Sequence, residues 1–124
     1  MNEFINHTNH PFARWEAEQL RAAEAYGTVM DMPFPQIPAM WGAEEVCRLA
    51  AENARAIIAR RPAAVLVQGE FTYTYALVAA LAAAGIVAFS ACSERHVRER
   101  VNEAGETVRE SRFVFCRFRT YCAP

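Results

Sequence analysis

Short apolar segments typical of strands alternate along this chain with longer segments that carry apolar residues at helical spacing. The clearest strand is 63–67, a continuous apolar run, as expected for a strand covered on both faces. It stands between 43–60, where apolar residues recur at intervals of three and four, and the almost wholly apolar helical segment 71–84. Alternation of this kind predicts an α/β fold in which helices cover both faces of a mostly parallel sheet.

The other elements follow from the same patterns. Further strands are predicted at 4–5, 28–32 and 86–90, and a further helix at 13–26. The last part alternates over 95–101 and 107–121 around the glycine-containing turn 102–106, which predicts a long antiparallel hairpin, although 95–103 could also be helical. The order β-α-β-α-β-α-β, then a hairpin, predicts one Rossmann-like domain spanning residues 1–124.

Composition excludes several classes of protein. The formal net charge of -1 argues against a binder of long nucleic acids. An apolar run of the length that spans a bilayer is missing, and the first residues do not resemble a signal peptide, so a cytoplasmic protein with no membrane partner is expected. The four cysteines form no CxxC pair, which argues against a zinc ribbon, and we expect reduced thiols that mostly fill the core.

All 13 basic residues are arginine. A biased genome composition explains this as readily as a need to bind phosphate, which guanidinium grips through two parallel hydrogen bonds. The lack of lysine does exclude a Schiff base, a P-loop lysine and a Ser-Lys dyad.

Functional chemistry is expected where the parallel strands end. Ligands of open parallel sheets bind beyond the carboxyl ends of the strands. The predicted order brings four loops there: 6–11, 31–35, 68–72 and 90–95.

The segment Gln68-Gly69-Glu70 joins the buried strand to the apolar helix. Gly69 permits a tight turn or a close backbone approach, and the amides that follow it stand at a helix N-terminus, where anions bind. Thr72 adds a hydroxyl. Alternatively, Gly69 only makes a turn, and Glu70 and Thr72 only cap the helix.

Two histidines lie three residues apart in the first loop, at His7 and His10. A metal site needs further ligands, so we predict none, and expect Asn9 to cap a helix or bind a ligand. Cys92 beside either histidine would make a nucleophile pair, but a buried cysteine is the simpler interpretation.

Ser93 and Arg95 follow the fourth predicted strand and together resemble a phosphate clamp. A structural ion pair with Glu70, Glu94 or Glu99 is the alternative role for Arg95.

Several motifs recur together in one known group of proteins. They are Asn9-His10-Pro11, 33–35, 67–75, Ser93-Glu94-Arg95 and the closing segment 113–121, with 67–71 (Val-Gln-Gly-Glu-Phe) and Arg117-Phe118-Arg119-Thr120-Tyr121 the most specific. In this order they resemble small CRISPR-associated accessory proteins of the Csx series, which have CARF-like folds. The likeness covers nearly the whole chain.

That resemblance implies a function. Related proteins bind cyclic oligoadenylates, the second messengers of type III CRISPR defence, and the ring nucleases among them cleave the messenger as homodimers without metal or cofactor. The messenger expected here is cyclic tetra-adenylate. The ligand-binding residues implied for this chain are Asn9, Gln68, Gly69, Glu70, Thr72, Ser93 and Arg95. We expect the catalytic residues to be His10, Arg95 and Gln68.

The expected reaction is attack of a ribose 2′-OH on the adjacent phosphate, which leaves a 2′,3′-cyclic phosphate and a 5′-OH. His10 would move the proton, because imidazole can exchange one near neutral pH, while Arg95 and amides after Gly69 would meet the developing charge. Three alternatives stay open: a sensor or sponge that does not cut, a different nucleotide or sugar-phosphate enzyme, and an interaction protein that uses the C-terminal hairpin.

Overall fold

A computed structural model describes residues 2–122. Five strands and three α-helices follow one another along the chain: β1 (Glu3–His7), a 3-10 turn (Phe12–Arg14), α1 (Ala17–Glu24), β2 (Thr28–Asp31), α2 (Ala43–Arg60), β3 (Ala64–Val67), α3 (Phe71–Ala83), β4 (Ala88–Val101) and β5 (Thr107–Thr120). The alternation of strand and helix predicted from the sequence is confirmed.

The strands form one mixed sheet in the order β2-β1-β3-β4-β5. The first four are parallel to their neighbours, and β5 runs antiparallel to β4. This confirms a mostly parallel α/β sheet with a C-terminal antiparallel hairpin. Strands β1 and β3 lie side by side, with His7 opposite Val67, so their carboxyl ends meet at the same edge.

Two apolar layers cover the sheet, one on each face. Alternate residues of β3 point to opposite faces, so Val65 and Val67 pack with α2 and α3 while Ala64 and Leu66 pack with α1. All four are buried, which is why this strand reads as an unbroken apolar run. The second layer also holds an aromatic cluster in which Phe4, Phe89 and Phe118 lie with ring centroids 5.2–6.3 Å apart.

Helix α2 has the predicted bounds. Gly42 precedes it, and its backbone N–H donates to the Glu45 carboxylate at 2.6 Å, which fixes the first turn. Val46, Ala50, Ala54 and Ile57 form its buried stripe. None of the helices within residues 2–122 is long and apolar enough to cross a membrane.

Two predicted boundaries were wrong. The helix expected at 13–26 is divided, because Trp15 and Glu16 are extended and separate the 3-10 turn from α1. The loop expected at 90–95 is strand: β4 continues from Ala88 to Val101, with a register shift against β5 between Cys92 and Ser93. Ser93, Glu94 and Arg95 are therefore held by cross-strand pairing.

Beyond the sheet, β4 and β5 run on as a two-stranded ribbon, and we call residues 94–114 the arm. It is paired from Glu94 opposite Val114 to Val101 opposite Thr107, so the hairpin and its predicted turn are confirmed and the helical alternative is wrong. The cysteine prediction also fails, because Cys47, Cys116 and Cys122 are exposed and Cys92 is partly exposed, all of them free thiols.

Candidate functional site

A cavity of about 540 Å³ opens where β1 and β3 end, between the first turns of α1 and the start of the arm. We call it the strand-end cavity. Its wall combines residues from three regions: Thr8, Asn9 and His10 after β1, with Arg14, Trp15, Glu16 and Gln19 next to them; Leu66, Gln68 and Gly69 from the end of β3; and Ala91, Ser93, Phe113 and Phe115 from β4 and β5. Its volume falls within the range of small-molecule sites, roughly 300–1,000 Å³.

The strand order explains why a cavity forms there. The chain passes from β1 outward to β2, and then back across β1 to β3 on the other side. Loops that leave β1 and β3 therefore turn away from each other toward opposite faces, which opens a crevice at the sheet edge.

A buried polar cluster holds the loop after β1 in shape. The Asn6 side chain, 1% exposed, donates to the His10 carbonyl oxygen and to Asp31 Oδ1, both at 2.8 Å. Thr8 Oγ1 donates to Asn6 Oδ1 at 2.8 Å and accepts from the His10 backbone N–H at 3.1 Å. The Trp15 indole N–H also donates to the His10 carbonyl at 3.2 Å.

This cluster fixes the backbone of His10 while its side chain stays exposed at the cavity. It also gives Asp31 a role: Asp31 Oδ1 accepts from the Phe12 backbone N–H at 3.1 Å and so ties the loop to β2. The loop 31–35 thus supports the site from behind, while the cavity wall itself is formed by other described residues.

Gln68 links β3 to β4 at the cavity floor. Its Oε1 accepts the backbone N–H of Ala91 at 2.8 Å, two positions beyond the last pair of the parallel ladder, Leu66 opposite Phe89. The amide nitrogen of the same carboxamide group is what Gln68 can offer to a ligand.

Gly69 is required by packing as well as by the turn. A Cβ at this position would overlap the ring of Phe34, which is buried in the core beneath it. Only glycine therefore allows this close approach, and the same bare backbone faces the cavity.

Glu70 and Thr72 lie outside the described cavity wall. Glu70 is the N-cap of α3, and its Oε1 accepts the Tyr73 backbone N–H at 2.7 Å. This carboxylate occupies the position at the helix N-terminus that an anion would otherwise take, which favours the capping role over phosphate binding.

Arg95 is also outside the wall that the described residues form, whereas Ser93 is part of it. Arg95 lies opposite Phe113 at the base of the arm, is exposed, and makes none of the ion pairs found between residues 2 and 122. The cation of the strand-end cavity is instead Arg14, with Glu16 nearby in the wall.

The sequence analysis missed Arg14, Trp15 and Gln19. They were assigned to an uninterrupted helix 13–26, whereas the chain is extended at Trp15, whose indole donates to the His10 carbonyl five residues earlier and whose ring packs on Phe118. Arg14 lies in the cavity wall next to this break in the predicted helix.

His7 and His10 are separated rather than paired. His7 is 1% exposed on the opposite face of the sheet, where Nδ1 lies 2.6 Å from the Met32 carbonyl oxygen and Nε2 lies 2.8 Å from the Tyr73 hydroxyl. Burial lowers the pKa of His7, and the backbone hydrogen bond to Met32 opposes this in part. The Tyr73 hydroxyl accepts from the Asn53 amide at 2.9 Å, and burial raises the pKa of this phenol.

With both nitrogens engaged, His7 acts as a satisfied core residue. Metal ligation would break those hydrogen bonds, and residues 2–122 contain no group of three or more His, Cys, Asp or Glu placed to hold an ion.

Comparison with known proteins gives one finding. Residues 2–119 match the family model described as "Uncharacterized protein MJ1673 family", which covers nearly the whole chain. The description of that family names no activity, ligand or partner. No curated protein and no solved structure matches the chain.

Proposed function

The chain belongs to the uncharacterized protein MJ1673 family, and we propose that it binds a cyclic oligoadenylate in the strand-end cavity and cleaves it without metal. One observation carries this proposal: the cavity gathers Asn9, His10, Gln68, Gly69 and Ser93, five residues that the Csx-type resemblance had implied for the ligand. The proposal includes a CARF-like, Rossmann-like fold, a homodimer, a cytoplasmic location and a role in antiviral defence.

The cavity has groups for each part of a nucleotide. Arg14 and the Gln68 amide nitrogen can donate to phosphate oxygens, and the Gly69 backbone allows close approach. Trp15 and Phe113 offer aromatic faces on which an adenine base can stack. Asn9 and Ser93 supply short hydrogen-bonding side chains at the rim.

The proposed reaction needs positioning more than covalent chemistry. A ribose 2′-OH attacks the adjacent phosphorus in line, its proton passes to His10, and the bond from phosphorus to the 5′ oxygen breaks. The 5′ oxygen takes up a proton from water as it leaves, and His10 returns its proton to solvent, so the products are a 2′,3′-cyclic phosphate and a 5′-OH. Arg14 takes the part that the sequence assigned to Arg95, because Arg14 is the guanidinium in the cavity wall.

A second candidate function is a sensor or sponge that binds the same messenger without cutting it. It is favoured by the position of Arg95, since the residue implied for stabilising the transition state lies outside the cavity wall.

The test is to incubate the purified protein with cyclic tri-, tetra- and hexa-adenylate in the presence of EDTA and to separate the products by chromatography. Linear fragments that end in a cyclic phosphate support the nuclease. Intact ligand that raises the melting temperature supports the sensor. Intact ligand with no thermal shift overturns both.

Matched variants locate the site. Arg14→Ala should raise the ligand dissociation constant roughly 10- to 100-fold, the loss expected for a hydrogen bond to a charged group. Arg21→Ala, an exposed position on α1 outside the cavity, serves as its control. His10→Ala should slow cleavage by about 100-fold or more, whereas His96→Ala on the arm should not. Equal effects of the two members of either pair contradict the assignment.

A further inference from the structure

The arm has little of the support that a two-stranded ribbon needs. Its outermost pair, Val101 and Thr107, lies seven residues beyond the pair of Glu94 and Val114, so it extends about 23 Å at the usual rise of a strand. Nearly all its side chains are exposed, with only Asn102, Val108 and Val114 half-buried. Isolated two-stranded hairpins are at best marginally stable in water, which indicates that another surface covers this one.

One face of the arm carries three exposed apolar side chains among polar and charged ones, which include Arg95, Glu99 and Arg109. Val97, Val101 and Phe113 share it, because alternate residues of a strand point the same way and Phe113 lies opposite Arg95. They are 44%, 69% and 68% exposed. Toward the sheet, the same face continues at Ser93 and Phe115. The exposed face of the arm and the face of the sheet that lines the cavity therefore form one surface.

The charges of the arm point to a self-complementary partner. Residues 94–114 hold five Arg and five Glu, and both signs occur on each of the two strands. A nucleic acid or an acidic membrane needs a net positive surface, which this balance does not provide. In a two-fold dimer the same surface meets itself, and a patch with both signs can then pair each charge with its opposite.

The chain exposes more surface than a compact monomer of its mass, by an amount that one protein interface could cover. The chain exposes 8284 Å². A compact monomer of 13.9 kDa is expected to expose roughly 6,700 Å². The excess of about 1,600 Å² is enough for a standard protein interface, which buries about 800 Å² from each partner.

We propose that the arm is a dimerisation element whose face bearing Val97, Val101 and Phe113 packs against a second copy of this chain. Because Phe113 also belongs to the wall of the strand-end cavity, the second copy lies along the rim of that cavity. The inference deepens the homodimer of the proposed function by locating its interface, yet it rests on the arm alone and not on the ligand.

Sedimentation equilibrium of three chains tests this: the wild type, the double variant Val97→Glu/Val101→Glu, and Val108→Glu as a matched control on the opposite face of the same ribbon. The wild type should have twice the 13.9 kDa mass of one chain. The double variant should raise the dimer dissociation constant at least about 100-fold, because unpaired carboxylates would have to be buried. The control should stay within a few-fold of the wild type.

A wild-type monomer overturns the proposal, as does a double variant that dimerises like the control. Circular dichroism establishes that each variant is folded, and a chain in which 95–113 is replaced by Asn-Gly provides a second test that needs no buried charge. The wild type can form a dimer that the double variant loses and still bind no oligoadenylate. That pair of results would support this inference and overturn the proposed function.

Discussion

The hydrogen bonds of His7 fix its protonation state. The Met32 carbonyl can only accept, so Nδ1 carries the proton, and the Tyr73 hydroxyl, which receives a proton from Asn53, donates its own to Nε2. A second proton on the imidazole would leave the Tyr73 hydroxyl without an acceptor and place a charge in the core. These hydrogen bonds and the burial of the ring therefore favour the neutral imidazole, which is consistent with the lowered pKa of His7.

This makes stability depend on pH. Because the pKa of His7 in the folded chain is below the ordinary value of 6.5, the unfolded chain binds the proton more readily. The contribution of neutral His7 to the free energy of unfolding is therefore fully present above pH 6.5, the ordinary pKa. It is lost as the pH falls below that value, and the free energy of unfolding declines by up to about 1.4 kcal/mol per pH unit. Urea denaturation at several pH values between 7.5 and 5 measures this free energy of unfolding.

A variant isolates the contribution of His7. His7→Gln should be less stable at pH 7.5 but should show a flatter decline toward pH 5. If His7→Gln and the wild type decline in parallel, titration of this residue is not the cause.

At the scale of elements, Glu70 at the start of α3 has two candidate roles, helix capping and ligand binding, which can be tested separately. Its carboxylate caps the helix through the Tyr73 N–H, so Glu70→Ala should lower the free energy of unfolding by about 0.5–2 kcal/mol. Glu70→Asp, a strong capping residue, should restore most of that loss. The ligand affinity measured by isothermal titration should be the same in all three chains, since Glu70 lies outside the strand-end cavity.

A loss of affinity in Glu70→Ala that exceeds its loss of stability would contradict the capping role and return Glu70 to the ligand-binding set implied by the resemblance.

Helices and strands were predictable where the pattern of buried apolar residues and the residues at the ends of the element indicate the same structure. Helix α2 has a buried stripe and a first turn fixed by Glu45, and β3 is buried on both faces. The spacing of apolar residues alone therefore indicates both elements. The turn of the arm was predictable because Gly105 adopts a positive φ of 80°, which glycine accepts readily.

The remaining features depend on contacts between distant segments. Polar residues at 90–95 suggested a loop, yet a strand beyond the sheet edge has no buried face and needs no apolar alternation. The site was predictable only in part: the ends of β1 and β3 bring Asn9 and Gln68 together near Ser93 of β4, whereas Arg14 lies in the cavity wall next to the break at Trp15, whose ring packs on the distant Phe118.

At the scale of the whole molecule, dimerisation through the arm couples association to stability. A partner that binds only the folded chain stabilises it by mass action, so the melting temperature should rise with protein concentration. The wild type should show this rise between about 1 and 100 μM, a range over which each tenfold step adds up to about 1.4 kcal/mol to association. Differential scanning calorimetry measures it directly.

The chain with 95–113 replaced by Asn-Gly provides the comparison. Its sheet, helices and aromatic cluster are retained, because β4 and β5 still pair from Phe89 opposite Thr120 to Glu94 opposite Val114. Its melting temperature should be independent of concentration, and at high concentration it should lie below that of the wild type. If the two chains respond alike to concentration, association does not use the arm, and the excess surface of the molecule is covered by some other contact.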